Sequence, residues 1–117
     1  MYVVLDMHAA PGAQNTSDFS DSDEQEARLF TQYSNQKWYV STWRYIAEYY
    51  ADEPVIAAYD LLNEPVLPWG YGPPALKNLY EWAIDSIRMV DPDHIVIIEG
   101  NWFCLLYTSD AADEQLS

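Results

Sequence analysis

The stretch YDLLNEPV, residues 59–66, decides the fold. Leu61 and Leu62 close an apolar run of strand length, VIAAYDLL (55–62), and Asn63, Glu64 and Pro65 follow at once. An Asn-Glu pair in that place is either a strand end meeting water or a carboxyl group held at a sheet's rim, where α/β enzymes keep their chemistry. The flanking segments bear on the choice. Upstream, Tyr39, Val40, Trp43, Ile46, Ala47 and Tyr50 recur at three-four spacing, which predicts a helix over 36–51 that Pro54 closes. Downstream, NEPVLPWGYGPP is a turn-rich loop, and Pro74 is placed to open a helix over 75–90. Leu76, Leu79, Tyr80, Ala83, Ile84, Ile87 and Val90 form its apolar stripe. DPD breaks that helix and HIVIIEG (94–100) reads as a further strand, matched at the start of the chain by MYVVLDMH (1–8).

The predicted order is β-α-β-α-β. The strands are apolar on both faces, the pattern of a parallel sheet covered by helices. Helix-to-strand links are tight, whereas strand-to-helix links run to a dozen residues or more. In parallel α/β folds those long links lie at the carboxyl edge, where ligands bind. His8, Asn63 with Glu64, and Glu99 with Asn101 and Trp102 all fall at carboxyl ends of strands. Right-handed crossovers bring those ends to one rim.

Composition limits the partners. Nineteen acidic and five basic residues give the 117-residue chain a net charge of −14. That balance repels phosphate backbones and anionic membrane surfaces, so neither nucleic acid nor membrane is an expected partner. No apolar run reaches the roughly 20 residues of a membrane span. The N-terminus lacks the basic region of a signal peptide, and Asp6 interrupts it. A single cysteine, Cys104, excludes an internal disulfide framework and says little about compartment. Ten Tyr and five Trp suit a surface that stacks on the C–H faces of neutral sugars.

Each candidate has a plain structural reading beside the functional one. Glu64 alone is a solvated strand-end carboxylate, but Asn63 and Pro65 fix the backbone around it. His8 alone is a packed or capping histidine; its place at the same rim argues for a ligand contact. Glu99 is expected to be structural. Trp38, Trp43 and Trp82 lie on helices and are expected to pack, whereas Trp69 and Trp102 lie in rim loops. The polar stretch from Ala9 to Leu29 is too rich in Gly, Ser, Asp and Asn for regular structure through most of its length. Its acidic run, Asp18 to Glu26, lacks the alternating ligands and central glycine of a calcium loop. No phosphate-binding glycine loop, GxSxG elbow or Cys/His metal cluster is present in the sequence.

YDLLNEP resembles the fourth-strand signature of glycoside hydrolase family 5, within the wider group of (β/α)8-barrel glycosidases that carry Asn-Glu there. LDMHAAPG is similar to that family's third strand, and WRYIAEYYADEPVIAAYDLLNEP and DPDHIVIIEGNWF to the segments that follow. The resemblance runs from Tyr2 to Phe103. It implies a partial (β/α)8 (TIM) barrel comprising strands three to five, and a β-glycosidase acting on a β-linked glucan or related plant polysaccharide. Glu64 would be the general acid/base, Asn63 would bind the 2-hydroxyl beside the scissile bond, and His8 a neighbouring hydroxyl. Trp102, in a loosely patterned region, would be a further substrate contact. The implied mechanism retains configuration and needs no metal or organic cofactor. Two alternatives remain at this point: a sister barrel family with the same Asn-Glu motif, or a carbohydrate-binding barrel without a nucleophile.

A complete barrel takes about 250 residues. By the resemblance, the first two strands bring an arginine, the sixth a His/Tyr pair, the seventh the nucleophilic Glu and the eighth a Trp, and none of those positions exists here. Met1 would then be an internal methionine. The full-length enzyme is compatible with a secreted or periplasmic setting. The segment CLLYTSDAADE (104–114) resembles a translated sequencing adapter, so the expected division is a partial barrel over 1–103 and a non-native tail over 104–117.

Overall fold

A computed structural model describes residues 1–101. Three short strands, β1 (Val3–Asp6), β2 (Ile56–Asp60) and β3 (Ile95–Ile97), form one sheet in the order β1-β2-β3, and both pairs are parallel. Between them lie α1 (Arg28–Thr31), α2 (Tyr33–Tyr50) and α3 (Pro73–Arg88). The register sets Asp6 beside Asp60, and Asp60 beside Ile97.

The strands are shorter than the apolar runs suggested, because side chains from the helices take over the backbone groups at their ends. The Leu61 carbonyl accepts from both the Tyr39 hydroxyl at 2.8 Å and the Trp43 indole N–H at 3.0 Å. Beyond Ile97, the Tyr80 hydroxyl of α3 donates to the Glu99 carbonyl at 2.7 Å and receives the Glu99 N–H at 3.3 Å. Both helices begin earlier than their apolar stripes indicated, α2 at Tyr33 and α3 at Pro73. Pro73 and Pro74 open α3, where their missing N–H groups have no partner to lose.

Tyr39, Val40, Trp43 and Ala47 of α2 and Leu76, Leu79, Tyr80, Ala83 and Ile87 of α3 are buried with Tyr59, Leu61 and Leu62. This core covers one face of the sheet. The other face is open: Val4, Ile95 and Ile97 are 50%, 64% and 38% exposed. Such apolar side chains fill the lumen of a closed barrel, and among the described residues they have no opposing layer. Two of the three helix tryptophans depart from expectation. Trp43 is core, but Trp38 is 68% exposed, and Trp82 lies at the surface stacked on Tyr33 with ring centroids 5.7 Å apart. They occupy the solvent side of helices whose inner faces are already filled.

The amino edge of the sheet carries a buried polar latch. His94 presents Nδ1 to Asp91 Oδ2 at 2.6 Å and Nε2 to the Glu53 carbonyl at 2.9 Å. The Tyr59 hydroxyl donates to the same carboxylate oxygen at 2.6 Å, while the N–H groups of Asp93 and His94 donate to Oδ1. The latch joins the turn before β2 to the turn before β3 and keeps His94 out of the strand expected to begin there.

Candidate active site at the carboxyl edge

At the opposite edge the parallel ladder continues past the strands. The Met7 N–H donates to the Asp60 carbonyl at 3.1 Å, Leu61 N–H to Ile97 carbonyl at 3.0 Å, and Asn63 N–H to Met7 carbonyl at 3.0 Å. These bonds carry His8, Asn63 and Glu64 to the same rim. His8 is exposed, with Nδ1 2.7 Å from Asp6 Oδ2 and its ring 5.7 Å from that of Phe19. Glu64 is exposed and Asn63 half-buried, over the buried Leu61, Leu62 and Pro65. Trp102 lies outside the described residues, as does the expected boundary at 103/104.

Glu64 has an unusual backbone, with φ of 44° in the left-handed region that disfavours any side chain. Its neighbours hold it there. Its N–H donates to Glu99 Oε1 at 3.1 Å, and its carbonyl accepts from Asn15 Nδ2 at 3.1 Å. The preceding carbonyl, of Asn63, accepts from Gln14 Nε2 at 2.9 Å. Glu99, expected to be structural, turns its carboxylate to the rim and there holds the backbone of Glu64.

Below these residues Asp6, Asp60 and Glu99 bring carboxylate oxygens within 4.8 Å of one another. Burial, then the hydrogen bond and negative charge of Glu99, then the charge of Asp6, push the Asp60 pKa up to about 7. The crowding of acidic groups keeps the Asp60 carboxyl protonated at pH values where a free carboxylate is ionised.

A cleft of about 720 Å³ opens beside Glu64, lined by Asn15, Phe19, Leu67, Pro68 and Trp69 among others. Trp69 is fully exposed on its wall. The volume lies within the range of small-molecule sites, and the mixture of apolar wall and a few polar groups is typical of them. The acidic run of the first loop stays largely at the surface, with Glu24 and Glu26 paired to Arg28.

The sequence reading placed Glu99 at the rim but did not single out Gln14, Asn15 or Asp60 there. Signals for these three existed. A charged residue inside an apolar strand run, as Asp60 is in AAYDLL, demands a partner. Amides directly after a Pro-Gly turn, as in PGAQN, are suited to bonding the backbone the turn brings near.

The sequence over residues 1–115 matches the family described as Cellulase (glycosyl hydrolase family 5). It is 36% identical over 103 residues to a beta-xylosidase of Phanerodontia chrysosporium, covering 88% of this chain and 21% of that protein. Identity to a probable glucan 1,3-beta-glucosidase A of Neosartorya fischeri is 34% over 101 residues, covering 86% and 24% of the two chains. The solved structure of a beta-glucanase from Saccharophagus degradans superposes with a TM-score of 0.66 at 26% identity, over 87% of this chain and 29% of that one. The chain thus spans less than a third of each of these three proteins. Three parallel strands with one open face, and a motif-bearing rim, fall where this match predicts: the chain belongs to glycosyl hydrolase family 5 and forms part of its (β/α)8 barrel.

Proposed function

We propose that the protein carrying this chain is a retaining β-glycosidase that cleaves a β-linked glucan-type polysaccharide or oligosaccharide, with Glu64 as general acid/base. Asn63 binds the 2-hydroxyl of the sugar at the scissile bond, His8 a neighbouring hydroxyl, and Trp102 a sugar face. One observation carries this reading: an exposed carboxylic acid stands at the carboxyl edge of the sheet, its backbone fixed, beside a ligand-sized cleft. The relatives named as a xylosidase, a glucosidase and a glucanase support the substrate class.

The chemistry asks for what Glu64 offers. Retaining cleavage uses two carboxyl groups about 5–5.5 Å apart, one protonating the leaving oxygen and the other attacking the anomeric carbon. Glu64 faces open space, where a glycosidic oxygen can reach it. Glu99 accepts the Glu64 N–H and is thereby committed to the acid's own backbone. The resemblance to glycoside hydrolase family 5 implies that the nucleophile is a Glu on the seventh strand, outside this segment. Asn63 strengthens its hold on the 2-hydroxyl as the ring gains oxocarbenium character.

The test is Glu64→Gln in the complete protein, read as kcat/KM over glycosides of graded leaving-group ability. The substitution removes the transferable proton and little else. Cleavage of β-linked disaccharides should fall by about 10²- to 10⁴-fold, while dinitrophenyl glycosides, which leave without acid help, should react almost normally and accumulate glycosyl-enzyme. Near wild-type turnover on both classes would dismiss Glu64 from the role.

A further inference from the structure

Gln14 is wholly buried, yet its amide makes three hydrogen bonds. Its Oε1 accepts the Ala10 N–H at 3.0 Å, and its Nε2 donates to the carbonyls of His8 at 2.8 Å and Asn63 at 2.9 Å. Its own carbonyl accepts the Val66 N–H at 2.9 Å. One side chain thus ties the backbone after β1 to the backbone after β2. The neighbouring Asn15, also buried, donates Nδ2 to the Glu64 carbonyl and accepts the Ser17 N–H on Oδ1 at 2.9 Å. From the other side Glu99 takes the Glu64 N–H. Carbonyls on both sides of Glu64's α-carbon and the N–H between them are therefore each held by a side chain from another segment.

We propose that Gln14, Asn15 and Glu99 are positioning residues that aim the Glu64 carboxyl, by holding its peptide groups in a left-handed conformation the chain would otherwise leave. The proposal rests on Glu64 being the acid/base. A glutamate at φ 44° is unfavourable, and persists only where its surroundings over-determine it. Relaxation to negative φ rotates the side chain away from its present direction. A displacement of about 1 Å at a proton-transfer site costs on the order of 100-fold in rate. The three holds act through the peptide groups of Glu64.

The experiment uses the complete protein and four variants: Asn15→Asp, Gln14→Glu, Glu99→Leu and Glu99→Gln. The first two keep side-chain shape but replace a donating amide with a carboxylate oxygen that repels the carbonyl it faced. Glu99→Gln retains an oxygen acceptor for the Glu64 N–H and serves as the conservative rescue of Glu99→Leu. The reading is kcat/KM on a β-linked disaccharide against a dinitrophenyl glycoside. Asn15→Asp and Glu99→Leu are expected to lose about tenfold or more on the disaccharide and less than about threefold on the dinitrophenyl substrate, with Glu99→Gln restoring most of the loss. Residues that merely stabilise the fold would depress both substrates alike, and equal losses, or none, overturn the proposal. Glu64→Gln in the same series separates the two claims. If it shows no leaving-group dependence, the acid/base reading falls; if it does and the positioning variants do not, only the positioning role falls. Where Gln14→Glu does not fold, Asn15→Ser shortens the donor and carries the same reading.

Discussion

Replacing His94 with leucine tests the latch at the amino edge of the sheet. Both ring nitrogens face acceptors, Asp91 Oδ2 at 2.6 Å and the Glu53 carbonyl at 2.9 Å, so both carry protons and the ring is an imidazolium. Burial works against that charge, but the Glu53 carbonyl and Asp91 outweigh it and raise the His94 pKa. Burial likewise opposes charge on Asp91, yet donors from Tyr59, Asp93 and His94 hold its pKa below the usual carboxylate value. The side chains of His94 and Asp91 are 8% and 0% exposed, so solvent screens the pair little. Removing one partner of a buried pair costs about 3–5 kcal/mol. Asp91 keeps three donors in the leucine variant, which places the expected loss at the low end, about 3 kcal/mol. The pH dependence follows from the two shifts. The His94 contribution is complete below the ordinary 6.5 and disappears as pH rises through its elevated folded pKa, while that of Asp91 is complete above 3.8 and is lost as pH falls through its lowered one. Urea unfolding of wild type and variant in the complete protein should therefore show the largest difference between those two values and a shrinking one toward alkaline pH. A difference under about 1 kcal/mol at pH 6, or one that grows toward pH 9, would refute the imidazolium latch.

Other consequences follow at the rim and in the first loop. Asp60→Asn removes a carboxyl held protonated to about pH 7, whose cost to the folded state grows as pH climbs from 3.8 toward that value; the variant's urea midpoint should gain on wild type across that window and level off above it, and a pH-independent gap would discard the raised Asp60 pKa. Gly12→Ala sets a methyl against the Asn35 side chain and 3.0 Å from the Arg28 carbonyl carbon, at a φ of 78°; it should destabilise by about 1–3 kcal/mol, measured by the same unfolding. The 117-residue chain by itself should hydrolyse no β-glucan, mannan or xylan oligosaccharide above a Glu64→Gln control, since among the described residues the outer strands β1 and β3 each pair on one side only and the proposed mechanism places the nucleophile on another strand; turnover would mean that Glu64 and Glu99 form a working pair.

The layout was legible because it rests on periodicity. Apolar stripes from Tyr39 to Tyr50 and from Leu76 to Val90 specify helices whatever surrounds them, and double-faced apolar strands specify a covered parallel sheet. His8, Asn63 and Glu64 were legible as rim residues because chain order alone places strand ends at one edge. Strand length was not legible, since hydroxyl and indole donors on the helices, Tyr39, Trp43 and Tyr80, take carbonyls near the strand ends. Nor was the role of Gln14 and Asn15. Their partners are carbonyls of His8, Asn63 and Glu64, up to 49 residues away, and a carbonyl is the same in every residue. Side-chain-to-backbone bonds across the fold leave no pattern in composition or spacing.

The two edges of this sheet divide the work by the kind of bond each uses. At the amino edge Tyr59, Asp91 and His94 spend their polar groups on one another and on Glu53, in a site closed to solvent. Nothing is left over there for a ligand, which is what a purely stabilising site requires. At the carboxyl edge the buried polar groups, Gln14 and Asn15, spend theirs on backbone. The Glu64 carboxyl is left exposed while its peptide is fixed on both sides. An acid that must protonate a substrate oxygen needs that combination: rigid in position, uncommitted at the tip. Loop amides supply rigidity without adding a charge that would alter the acid's proton affinity. Long polar loops at the carboxyl edge thus carry buried, fully bonded residues as well as solvated ones, and the buried ones set the geometry of the acid that the proposed chemistry uses.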